Sequence, residues 1–256
     1  MLQVMIDREA PRQPSRHSLT FRVRDWFAWS PERETRGAWQ SWVGEGDIAS
    51  DDPVMPALPM MLRRRLTLIG QKALGTALAC CGAQDARYIL VSRHGEFDRT
   101  VAILTSLARR EQPSPAEFSM SVHHGLAGLL SIHTGNKAGH TAVAGSMDSF
   151  GYGLIEAAAC LSEDPTRAVL LFYFDAPLPE NYSSFRPEAE ASLPLALAMT
   201  LVSHGDDAIT VSARVADQVG EDESESLPLS FLRFLLGKQP QADVRGGRMI
   251  WRWHRA

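Results

Sequence analysis

The chain has 256 residues, 45% of them hydrophobic and 22% charged, a balance that fits a soluble globular protein with one large domain or two small ones. A formal charge of −4 gives no electrostatic case for nucleic acid, and the three cysteines, Cys80, Cys81 and Cys160, make neither a disulfide framework nor a paired metal spacing. The longest apolar run, Ala191–Val202, contains Pro194 and is too short to span a bilayer; free thiols without a leader sequence point to the cytoplasm.

Residues 1–18 are basic and carry prolines, and read as a disordered tail ahead of a single domain over 19–256. Thr20–Trp29 alternates as a first strand. Pro31–Pro59, with its prolines, glycines and the Asp51-Asp52 pair, reads as loop. Leu62, Leu66, Ile69, Ala73, Ala77 and Cys80 recur at helical spacing and predict one long helix over 58–82, with Cys80-Cys81 as buried packing. Arg87–Val91 is a short buried strand. Asp98–Arg110 is a helix ending before Pro113, and Ser114-x-x-Glu117 is a capping-box pattern for the next one.

Arg167–Phe174 is a continuous apolar run that suits a central strand covered on both faces. Leu195–Val202 and Ala208–Val215 predict two more strands, expected to add an antiparallel edge. Val219–Ser226 is an acidic loop, Leu227–Leu236 an amphipathic helix, and Arg248–His254 an alternating edge strand. Strands separated by helices predict an α/β fold with a mixed, mostly parallel sheet and helices on both faces.

Ser119–Ala157 is the most informative stretch. It reads as a helix, a glycine-bearing turn, a short apolar strand, a tight turn and a second helix, which is the layout of a nucleophile elbow. Thr141-Ala142-Val143-Ala144-Gly145-Ser146 forms the strand end, and Phe150-Gly151 lies in the helix that follows. This segment resembles the active-site region of β-ketoacyl synthases, of the thiolase fold. There a strand ends in Ala-Cys-Ala/Thr-Thr/Ser-Gly ahead of a helix bearing an apolar-Gly pair. Counting back from Phe150-Gly151 puts Val143 where that family has its cysteine, and no cysteine stands between Cys81 and Cys160.

The resemblance covers roughly Leu19–Val202 and matches the N-terminal half of the duplicated family fold. A thiolate accepts the acyl group in those enzymes, and valine cannot. Their second half supplies His-Gly-Thr and Asn-Ser-Phe-Gly motifs, and neither string occurs here. The resemblance therefore implies a thiolase-like half-fold acting as a chain-length-factor-like partner, similar to the short ketosynthase-like proteins of aryl polyene pathways. It implies a heterodimer with an intact ketosynthase, pairing through Thr141, Ala142, Ala144 and Gly145 and through a helix at 122–132 that carries Val122, Leu126 and Leu129. Acyl carrier proteins are acidic, so the resemblance also makes Arg63-Arg64-Arg65 a carrier-docking candidate beside its plainer reading as a solvated helix face.

Two other readings stay open. Ser146 or Ser149, with His123 or His140 as base, would make an acyl-thioester hydrolase or transferase, although the second glycine of Gly-x-Ser-x-Gly is missing and helix capping explains both serines. A self-associating acyl-binding module would use the same pairing surface in a homodimer. Asp148 suits a helix N-terminus. His123 and His124 are adjacent and point apart, which disfavours a shared metal, and no cofactor fingerprint of the Walker, Rossmann or zinc type appears.

Overall fold

The computed structural model describes residues 19–44, 54–186, 193–217 and 225–256; the tail at 1–18 and the acidic stretch 219–224 lie outside them. The strands are β1 (Leu19–Trp29), β2 (Arg87–Val91), β3 (His140–Val143), β4 (Val169–Asp175), β5 (Leu195–Val202), β6 (Ile209–Val215), β7 (Gln241–Arg245) and β8 (Met249–Arg255). They form one sheet in the order β3-β2-β4-β5-β1-β6-β8-β7.

The fold is α/β, but the parallel majority expected from the sequence is wrong. Only the β2–β3 and β2–β4 ladders are parallel; the other five are antiparallel. Helical crossovers link β2 to β3 and β3 to β4, as parallel pairing demands. From β4 onward every ladder is antiparallel, although α8 (Leu227–Leu236) still separates β6 from β7, and β1 enters between β5 and β6. β5 and β6 are thus central, not an edge pair. β8 is also not the edge: it lies between β6 and β7, and the short, polar β7 gave no apolar alternation to detect.

The helices are α1 (Arg36–Trp42), α2 (Met60–Arg63), α3 (Leu68–Ala79), α4 (Phe97–Ala108), α5 (Pro115–Ser121), α6 (Gly125–Thr134), α7 (Ser149–Glu163) and α8 (Leu227–Leu236). α3 and α6 cover one face of the sheet and α7 and α8 the other. β4 separates the two cores: Leu170, Phe172 and Phe174 face α3, while Val169, Leu171 and Tyr173 face α7. All seven of its residues are buried, as the apolar run predicted.

The single helix expected over 58–82 is two. Thr67 breaks it: its Oγ1 accepts from Gly70 N at 3.1 Å and caps α3, while its N–H and hydroxyl both donate to Glu96. The apolar positions from Leu62 to Cys80 still bury on one side, so the periodicity located burial but not continuity. Cys80 and Cys81 lie past the helix end; Cys80 is buried and Cys81 exposed, which corrects the expected pair of packed thiols. α1 was missed inside an apparent loop. It is capped by Thr35 and anchored by Trp39, whose indole donates to Ala28 O at 3.0 Å, and seven residues are too few to show a helical period. Ser114 caps α5, but the Glu117 carboxylate reaches Arg99 at 2.8 Å instead of closing a capping box.

Candidate functional site

β3 is the outermost strand of its end of the sheet. Its register with β2 runs from Tyr88↔His140 to Val91↔Val143, and its other edge has no partner strand among the described residues. The chain then turns through Ala144–Asp148 into α7. Asp148 N donates to Gly145 O at 3.1 Å and Ser149 N to Ser146 O at 3.2 Å, which closes the turn tightly. Ser146 sits at its tip with φ of 57°, the left-handed region that a non-glycine residue enters at a cost. The strand–turn–helix elbow read from the sequence is therefore present, and its strained residue is Ser146.

Val143, the residue that the sequence resemblance sets opposite the family cysteine, ends β3 with its side chain half-buried against the α7 side of the core. Ser149 is buried and fully engaged: its Oγ accepts from Gly145 N at 2.9 Å and donates to Ser146 O at 2.6 Å. It is a clasp for the turn, not a free hydroxyl. His123 Nε2 lies 2.8 Å from Ser92 O, which engages that candidate base away from the serines, and the His140 ring stacks on His124 with centroids 6.0 Å apart.

Asp148 departs from the expected capping role. It stands at the start of α7, yet its side chain makes no cap hydrogen bond. Its buried carboxylate turns to the C-terminal hairpin, accepting from Trp251 Nε1 at 2.8 Å and from Arg248 N at 2.8 Å. A Cβ on Gly246 would lie 1.8 Å from Asp148 Oδ1, and one on Gly151 would lie 2.3 Å from the Trp251 ring, so both contacts need glycine. Sequence reading missed this brace; the Gly246-Gly247 pair before a tryptophan was the only local signal.

Beneath the elbow, Asp175 ends β4 and is buried. It accepts from Ser92 Oγ at 2.8 Å and from the N–H groups of Arg93 and His94, which pins the loop after β2. Burial pushes its carboxyl above the ordinary range, against those hydrogen bonds and one from Tyr173. Arg93 Nη1 in turn lies 3.0 Å from Met147 Sδ in the elbow. Ser146, Phe150, Tyr173 and Asp175 help line a cavity of about 30 Å³, room for roughly one water and not for an acyl chain.

Of the expected pairing residues, Thr141, Ala142, Ala144 and Gly145 do lie along the β3 edge and its turn. The helix expected at 122–132 is interrupted: Val122 follows α5, and α6 starts at Gly125. Val122 is exposed and Leu129 half-buried, but Leu126 faces the core and cannot contribute to a surface; the exposed apolar residue on α6 is Ile132, at 80%. Arg63 at the end of α2 and Arg64 and Arg65 in the α2–α3 link are all exposed, and the link is held from inside by Arg99 Nη2 donating to Arg65 O at 2.6 Å. Burial raises the Cys80 and Cys160 thiols above their usual range, the opposite of an activated nucleophile.

The sequence matches the profile of the β-ketoacyl synthase N-terminal domain over residues 39–254. The chain belongs to that family. Among solved structures, this β-ketoacyl synthase-type domain is similar to a chain from a ketosynthase (ApeO) in complex with its chain length factor (ApeC) from Xenorhabdus doucetiae. The identity is 28% and the TM-score 0.80, over 93% of this chain and 100% of the other. It shares its fold with the ishigamide ketosynthase/chain length factor, at 16% identity and TM-score 0.57 over 77% of this chain and 67% of that one. It also shares it with a type II polyketide ketosynthase–carrier protein complex, AntDE:AntF, at 15% identity and TM-score 0.56 over 78% and 70%. No curated protein sequence matches. Among the described residues no helix is long and apolar enough to cross a membrane.

Proposed function

We propose that this chain is a non-catalytic, chain-length-factor-like subunit that pairs with an intact β-ketoacyl-carrier-protein synthase, in the cytoplasm, in an aryl polyene type of fatty acid or polyketide synthesis. The observation that carries the reading is the unpaired β3 edge, which leads straight into an elbow with no thiol. Apolar side chains are also exposed on the helices between β2 and β3, Leu104 and Leu107 on α4, Phe118 on α5 and Ile132 on α6, and at Val122, and α6 packs against β3. A free strand edge is a template for another chain, and uncovered apolar helix surface is a site for one. The small elbow cavity agrees with this role, because any acyl tunnel of useful length has to be completed by the partner.

The likeness to the ApeO–ApeC complex supports the same reading: a chain matched end to end by this one is of similar length, shorter than a synthase with both halves of the fold. In such a pair Arg63, Arg64 and Arg65 would meet an acidic carrier protein. Co-expression with an intact ketosynthase of its own genome tests the pairing. A stable one-to-one complex is expected; separate elution of the two chains would overturn it, and a homodimer of this chain alone would favour self-association.

One observation favours a second reading. Ser146 holds a strained backbone at the elbow tip, where hydrolases place their nucleophile. Intact mass after incubation with acyl thioesters separates the two readings: a covalent acyl adduct on Ser146 is expected only from the second.

A further inference from the structure

A second surface lies at the opposite end of the parallel strands from the elbow, where β2 and β4 begin. An open groove of about 860 Å³ is lined there by Arg24, Gly82, Asp85, Asn136, Lys137 and Arg167 among others. Three cations face one carboxylate in this lining, on a chain whose net charge is −4. Arg24, Lys137 and Arg167 are exposed. Arg24 and Lys137 form no ion pair among the described residues, and Arg167 has only a loose one, 3.6 Å from Asp164 with both side chains about half exposed.

Two features show that the groove is built. The β1–β5 register slips between Val23 and Asp25, so Arg24 is the extra residue of a bulge, a device that re-aims a side chain. Its guanidinium is laid over Gly82, where an added Cβ would lie 2.9 Å from Nη2 and where φ is +83°. The floor is preformed as well. Buried Asn136 donates to Ala83 O at 3.1 Å and Ala86 O at 2.8 Å and accepts from Ala138 N at 2.7 Å, tying the α6–β3 loop to the turn before β2.

We infer that this groove docks an acidic polypeptide segment. Small-ligand sites enclose most of their ligand, whereas this one is open, with its charges on long side chains around the rim. That arrangement suits successive carboxylates along an extended chain. Each exposed pair contributes little, so binding rests on several together and is screened by salt. The inference is independent of the proposed pairing at β3.

A fluorescein-labelled oligoglutamate, followed by fluorescence polarisation with the full chain, tests it. Binding is expected at low salt, with about tenfold or greater weakening between about 0.02 and about 0.2 M NaCl. Joint substitution Arg24→Glu, Lys137→Glu and Arg167→Glu should abolish it with an unchanged circular dichroism spectrum, while joint Arg63→Glu, Arg64→Glu and Arg65→Glu should leave it intact. Lys137→Ala alone, at an exposed loop position, should weaken it severalfold and guards against misfolding of the triple variant. Absence of binding by the natural chain, binding insensitive to the groove variants, or loss only in the Arg63–Arg65 variant would overturn the proposal. Displacement of the peptide by inorganic phosphate at matched ionic strength would also overturn it, in favour of a small-anion site.

Discussion

The indole of Trp251, in the last strand of the chain, donates to the carboxylate of Asp148 at the start of α7, 103 residues earlier, at 2.8 Å. This buried bond joins the elbow to the C-terminal hairpin. The cluster of Phe150, Phe231, Trp251 and Trp253 lies in the core that α7, α8 and β8 share on one face of the sheet.

Trp251→Phe keeps most of the packing but leaves Asp148 Oδ1 buried without this donor. Its cost is expected to be about 1–3 kcal/mol, read as a lower urea midpoint. Gly246→Ala should cost at least as much, because the Cβ has no room beside Asp148. Unchanged midpoints in both variants would show that the brace is not part of the stable fold.

Ser146→Gly should stabilise the chain by about 1 kcal/mol, since glycine enters the left-handed region without the Cβ penalty. Thermal or urea unfolding reads this directly. A loss of stability would mean that the serine hydroxyl makes a contact worth more than the strain.

Asp175 sets a pH dependence. Its carboxyl is raised in the folded state, so over the range above the ordinary value near 3.8 the folded chain holds a proton that the unfolded chain has released. Its contribution to stability is therefore greatest below that value and is lost as pH rises through the raised one. Asp175→Asn should remove this falling limb from a plot of urea midpoint against pH. The same limb in both proteins would exclude Asp175 as its source.

Ala144→Arg is expected to abolish association through the β3 edge while the monomer stays folded, because Ala144 is exposed and its neighbour Ala142 packs against the core. A charge desolvated without a partner in the interface costs several kcal/mol. Light scattering with the co-expressed ketosynthase reads the result; an unchanged complex mass would place the interface elsewhere.

Val143→Cys should not create a condensing enzyme. The new thiol would be half-buried, as Val143 is, and the His-Gly-Thr and Asn-Ser-Phe-Gly strings are absent from the sequence. Thiol labelling without condensation is expected; multiple-turnover condensation by the purified variant would refute the reading of a decayed site.

Local chemistry made several parts of this molecule legible in its sequence. The buried β4 run, the β3–turn–α7 elbow and the amphipathic α8 depend on short-range apolar pattern and turn residues, and each stands where that pattern puts it. So does the absence of a cysteine at the elbow. Strand direction was not legible, because the entry of β1 between β5 and β6 is a long-range pairing that no window of sequence contains. The break at Thr67 was set by Glu96, 29 residues on, and the turning of Asp148 away from its own helix by Trp251. A side chain with one local and one distant partner follows the stronger hydrogen bond in the packed protein, and only the tertiary structure brings that partner within reach.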